Sequence, residues 1–201
     1  MPLSPHRTLG FLLCLLAIGP SSPAPAAEKP FIPPEALPTF NRAVGFLKSK
    51  GSKLDGGKLS LAGLALVKAG EPASNAVVVK AIASVEKCFK KGSDEGLIYK
   101  PHTEHEGVYE AGVDIMLLLA INARQYRPHV EAAAQYLMSR QMSDGSWTYP
   151  GDKVGDTSMS QYALLGFWSA KLAGVEIPLE VWNKAALWHI RTQNKDGGFA
   201  Y

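Results

Sequence analysis

Three acidic side chains have surroundings that could give them chemistry. Asp114 directly precedes Ile115 to Ile121, an unbroken apolar run. An ionised carboxylate there is costly without a partner, so it either keeps its proton or finds donors. Glu110 lies one helical turn earlier on the same face. Like charge and burial would both raise the proton affinity of Asp114, as a general acid requires. Asp156 follows Asp152 by four residues, ahead of Thr157-Ser158. It reads better as a helix N-cap, whose oxygen accepts the free amides of the first turn. His102-Thr103-Glu104-His105-Glu106 is the densest set of metal-ligand types. Its His-x-x-His spacing matches no known zinc motif, so His102 and His105 are weak metal candidates and a solvated loop is favoured. Cys88, in Ser84 to Phe89, reads as a small buried residue on a helix.

These residues sit in a repeat. Gln141-Met142-Ser143-Asp144-Gly145-Ser146-Trp147-Thr148-Tyr149 recurs as Gln193-Asn194-Lys195-Asp196-Gly197-Gly198-Phe199-Ala200-Tyr201, at a uniform offset of 52. Weaker copies of the turn stand at Asp55-Gly56-Gly57 and Asp94-Glu95-Gly96-Leu97-Ile98-Tyr99. After each turn comes an apolar segment. Leu59 to Ala69, Val113 to Ala123 and Ser160 to Ala170 align without gaps, which puts Ser60, Asp114 and Gln161 at one position. A helix apolar on all sides is buried on all sides, so these are inner helices. Phe40 to Lys50, Ala76 to Lys91, Val130 to Gln141 and Leu179 to Gln193 carry one apolar stripe each and read as outer helices. Pro72, Pro128 and Pro178 stand where outer helices begin. No segment shows the period-two pattern of a strand. The expected class is therefore all-α, built from helix hairpins.

The chain has 201 residues and a net charge of +3, with no basic cluster, which argues against a nucleic-acid partner. Residues 1–26 have a basic start, a short apolar run and an Ala-x-Ala end, the parts of a secretory signal peptide. The expected location is periplasmic or secreted, with membrane contact only through an uncleaved signal. Residues 27–38 read as a proline-rich leader and 39–201 as the repeat domain. Cleavage would leave Cys88 without a disulfide partner.

The turns resemble the glutamine–tryptophan repeats of squalene and hopene cyclases, also called prenyltransferase/squalene oxidase repeats. Gln141, Gly145 and Trp147 fit that pattern, as do Gln193, Gly197 and Phe199 with Phe in place of Trp. The resemblance covers about Phe40 to Tyr201 and implies the α/α-toroid of the terpenoid cyclase/protein prenyltransferase superfamily. Inner helices there line an apolar cavity inside a ring of outer ones. Three inner helices amount to about half a toroid, so the sequence reads as a fragment or as a chain that must pair with something else. In the family these repeat residues are structural. Cyclases protonate an isoprene with an Asp-x-Asp-Asp motif at an inner-helix mouth; Gly151 to Ser158 is the matching place, and only Asp156 stands there. Prenyltransferases use a zinc held by Asp, Cys and His, and no Asp-x-Cys pair is present. The signal segment and the missing acid cluster favour an exported, non-catalytic or fragmentary scaffold of that superfamily, without a cofactor, whose partner is an apolar isoprenoid, an envelope protein or a glycan. The alternative is a terpenoid cyclase or prenyltransferase-like enzyme whose catalytic motif lies beyond residue 201. The enzymatic candidates are Asp114, Glu110 and Asp156. Asp114 is expected to point toward the toroid axis near Glu110, Ser60 or Gln161.

Overall fold

The computed structural model describes residues 31–93 and 96–199. The stretch 1–26 read as a signal, Asp94 and Glu95 of one turn copy read from the sequence, and Ala200 and Tyr201 lie outside them. Among the described residues there are seven α-helices and one short hairpin. The helices are α1 (Leu37–Lys50), α2 (Gly56–Lys68), α3 (Ala76–Glu86), α4 (Gly107–Asn122), α5 (Arg127–Ser139), α6 (Thr157–Leu172) and α7 (Leu179–Thr192). The hairpin pairs β1 (Phe89–Lys91) with β2 (Leu97–Tyr99), antiparallel, with Phe89 opposite Tyr99. The fold is all-α apart from this hairpin.

Local chemistry sets the helix starts. The Asn75 side chain accepts from the Val77 amide at 3.0 Å, and Asp156 accepts from the Met159 amide at 2.7 Å, each satisfying an orphan donor of a first turn. Pro38 and Pro128 occupy the first turns of α1 and α5, where a missing amide costs nothing. Pro38, the last residue of the stretch 27–38 read as a leader, therefore lies in the first turn of α1.

The hairpin overturns two expectations. The helix expected over Ala76 to Lys91 stops at Glu86, and Cys88 lies beyond it. Aromatic packing decides this. The Phe89 ring meets Tyr99 at 5.2 Å and His129 of α5 at 4.7 Å, and Tyr99 meets Tyr136 of α5 at 5.3 Å. Extended backbone places Phe89 and Tyr99 against α5, and three aromatic contacts outweigh weak helical propensity.

Helices α2, α4 and α6 lie side by side with α4 in the middle. Helix α3 packs on α2, and α5 packs on both α4 and α6. Helices α4 and α6 approach closely at Gly112 of α4, where an added Cβ would lie 2.4 Å from the Tyr162 carbonyl oxygen. Leu66, Ile115, Leu117, Leu118, Leu137, Trp147 and Phe167 form the centre of the core. Burial on all sides holds for the first three turns of α4, but not for its neighbours. Leu61 of α2 and Leu165 and Trp168 of α6 are exposed. Helix α4 has α2 and α6 on its two flanks; the flank of α6 away from α4 meets α7 only across an open groove.

Candidate functional site

The Asp55-Gly56-Gly57 turn brings the start of α2 onto Glu110. Glu110 is 2% exposed. Its Oε1 accepts from the Gly57 amide at 3.1 Å and its Oε2 from the His102 amide at 2.7 Å. Glycine is required here: a Cβ on Gly57 would fall 2.9 Å from Glu110 Cγ, and one on Gly56 2.5 Å from Oε1. Glu110 thus ties α2, α4 and the 101–106 loop together through backbone donors.

Asp114, one turn on, is 1% exposed. Its Oδ2 accepts from the Tyr99 hydroxyl at 2.7 Å, while Oδ1 has no hydrogen-bond partner. The Ser60 hydroxyl lies beside the carboxyl but stands 3.4 Å from the Gly56 carbonyl oxygen. Burial raises the Asp114 pKa from 3.8 to about 7; Ser60 and Tyr99 oppose the rise and the Glu110 charge adds to it. Burial and the Asp114 charge push the Tyr99 phenol well above its usual value, so it stays a donor. The three positions aligned in the sequence part company here. Ser60 and Asp114 meet, whereas Gln161 is exposed on α6. Depth along the helix does not separate them, since Ser60 and Gln161 each lie four residues from the start of their helices; on α6 the buried polar residue is the neighbouring Ser160.

A cleft of about 180 Å³ opens beside Glu110, at the N-terminal ends of α2 and α4. Gly57, Lys58, Glu106, Tyr109, Glu110 and Tyr162 contribute to its lining; Asp114 does not. The Tyr109 hydroxyl bonds to the Ser158 hydroxyl and lies 3.4 Å from that of Tyr149. Burial pushes its pKa up to about 12. Asp156 stands behind Ser158 as the α6 N-cap, accepting from the Ser158 hydroxyl at 2.6 Å as well as from the Met159 amide. Sequence reasoning missed Tyr99, Tyr109 and Ser158. Tyr99 lay in a recognised turn copy, but nothing marked its hydroxyl as the partner of Asp114.

The two histidines do not converge. His102 Nδ1 lies 3.2 Å from Cys88 Sγ and 3.8 Å from Glu110 Oε2, and its Nε2 lies 3.2 Å from the Ser84 hydroxyl. His105 instead stacks edge-on to Tyr149 at 4.7 Å. Among the described residues no group of three or more His, Cys, Asp and Glu is placed to hold a metal ion. Residues 102–106 form an exposed loop, as the sequence reading favours, within which His102 is bonded through its backbone and ring. Cys88 is buried and its thiol is pushed up to about 12, mainly by that burial, so it is not a thiolate at neutral pH.

The repeat residues are bonded as a structural turn. Gln141 Nε2 donates to the Gly145 carbonyl at 3.1 Å and to the Val181 carbonyl at 3.0 Å, linking the turn to α7. Gln193 donates to the Gly197 carbonyl at 2.8 Å in the same way. The amides of Met142 and Asn194 donate to the carbonyls of Ser146 and Gly198, and the Asp144 and Asp196 carboxylates accept from the Ser146 and Gly198 amides. Gly145 and Gly197 take φ of +100° and +86°, the left-handed region. Trp147 is fully buried, with Nε1 donating to the Leu137 carbonyl at 2.7 Å. Phe199 is 45% exposed. No family model, curated protein or solved structure matches this chain.

Proposed function

We propose that this protein is an exported, non-catalytic repeat scaffold, built on half of an α/α-toroid related to the squalene cyclase-like superfamily, that presents its helix edges to an envelope partner. The observation that carries the reading is how the carboxylates are used. Glu110 holds backbone amides of two segments, Asp156 caps α6, and Asp114 is sealed against Tyr99 and Ser60 outside the cleft. A proton donor in isoprene chemistry must face the substrate, and neither Asp114 nor Asp156 lines the cleft. The equivalent bonding of the two turns 52 residues apart supports the repeat architecture.

A second reading has one observation in its favour. Asp114 keeps its proton to about pH 7 and has a free oxygen in an apolar centre, the properties of an isoprenoid-cyclase acid. The purified chain incubated with squalene or farnesyl diphosphate separates the two. The scaffold reading expects no cyclic or transferred product. Product formation abolished by Asp114→Asn, at an unchanged melting temperature, would establish the enzyme instead. The export part is tested by N-terminal sequencing of the protein from the envelope, which should start near Ala27.

A further inference from the structure

The flank of α6 away from α4 and the adjoining face of α7 bound an open groove of about 390 Å³. Leu165, Trp168, Trp182 and Ala186 give it apolar walls, and Gln161 and His189 are its polar residues; no carboxylate or lysine lines it. Trp168 is 57% exposed.

The repeat shows what belongs there. Helices α5 and α7 begin at Arg127 and Leu179, 52 residues apart, the same offset as their turns. On α5 the side chains of Val130, Ala134 and Leu137 are buried, and Leu137 packs where α6 presents Gly166. The same positions on α7 are Trp182, Ala186 and His189, and these lie on the open groove. The turn after α5 buries Trp147 against Phe167 of α6, with ring centroids 5.8 Å apart. The turn after α7 leaves Phe199 exposed. In addition Trp182 Nε1 is buried without an acceptor. All three observations lack the same thing, a counterpart of α6.

We propose that the α6–α7 groove seats a further helix of the inner type, with an apolar, uncharged contact face, glycine or alanine where it crosses α7, and an acceptor opposite Trp182 Nε1. The inference rests on the repeat-scaffold reading and names its docking surface. Charge selects this occupant over a second copy. The exposed stripe of α2 is Lys58, Leu61, Ala65 and Lys68, and its two ammonium groups would meet a groove with no carboxylate in its lining. An isoprenoid hydrocarbon has no acceptor for the indole.

A synthetic peptide of residues 156–173, the helix that fills the equivalent groove, tests the proposal on the full chain. Substituting W168F in the peptide leaves the tryptophan signal to the protein. One peptide should bind per chain and shift the emission of the protein to the blue. Ala186→Arg, at an exposed position, should weaken binding at least about tenfold without changing the melting temperature. Trp168→Glu on the opposite wall serves the same purpose should Ala186→Arg fail to fold. No saturable binding, or equal binding by both variants, overturns the proposal. A concentration-dependent dimer abolished by Ala186→Arg gives the groove to a second copy and overturns it. Farnesol uptake blocked by that variant gives it to an isoprenoid and does the same. A negative peptide result leaves the turnover test of the scaffold reading unaffected, so the two failures are distinguishable.

Discussion

At the residue scale, Asp114 and Glu110 show how two buried carboxylates four residues apart meet different hydrogen-bond partners. Glu110 meets two backbone amides, whose dipoles replace lost water. Asp114 meets one phenol and leaves an oxygen bare. The consequence is a pH dependence with a definite sign. Folded Asp114 holds its proton to about pH 7, whereas in the unfolded chain it would release it near 3.8. Between those values unfolding releases a proton, so raising the pH favours unfolding. The contribution of Asp114 to stability is fully present below about pH 4, is lost as pH rises to about 7, and is flat above. Glu71, lowered by Lys48 and Asn75, works in the opposite direction at low pH. The measurement is therefore the difference in urea midpoint between wild type and Asp114→Asn across pH 4 to 8. It should change through this window, and a difference constant with pH would refute the assignment. Glu110→Ala strands the Gly57 and His102 amides and should cost about 3 kcal/mol, read from the same denaturation curves.

At the scale of the element, the two turns share a bonding scheme and differ in their surroundings. Trp147→Ala removes a buried aromatic and should cost about 3–5 kcal/mol. Phe199→Ala, at a half-exposed site, should cost under about 1 kcal/mol. Thermal unfolding of both variants tests the contrast, and equal losses would mean that Phe199 is packed as Trp147 is. Gly145→Ala should also be the worse of the paired glycine changes. Both residues have positive φ, but at Gly145 a Cβ would lie 2.2 Å from the Lys184 carbonyl oxygen, whereas the nearest atom at Gly197 is 3.9 Å away. The α6 cap is worth about 1 kcal/mol, so Asp156→Ala should lower stability by that amount.

For the whole molecule, burial is uneven along the row of helices. Helix α4 contributes ten buried residues, Glu110 and Asp114 among them, while α1 contributes none and leaves Phe46 exposed. Local opening follows contact with the core, so amide hydrogen exchange should be slowest in α4 and fastest among the helices in α1. Comparable protection of α1 and α4 would show that α1 is held by contacts outside the described fold.

The sequence by itself determined the helical class and the turn chemistry. Gln141, Gly145 and Trp147 act within a few residues of themselves or on the adjoining helix, so their types and spacing were enough to place them. The N-cap role of Asp156 was legible for the same reason, because a cap bonds to its own helix. Tertiary structure decided the rest. The strand pair at Phe89 and Tyr99 exists because α5 offers His129 and Tyr136 to stack on. The separation of Gln161 from Ser60 and Asp114 follows from which face of α6 is covered: Ser160 is buried there and Gln161 is exposed. Whether an apolar helix is buried on all sides depends on its neighbours: α4, flanked by α2 and α6, buries most of its apolar residues, and α6 keeps Trp168 in the open. Periodicity records which face of a helix is apolar, and only packing determines what covers it.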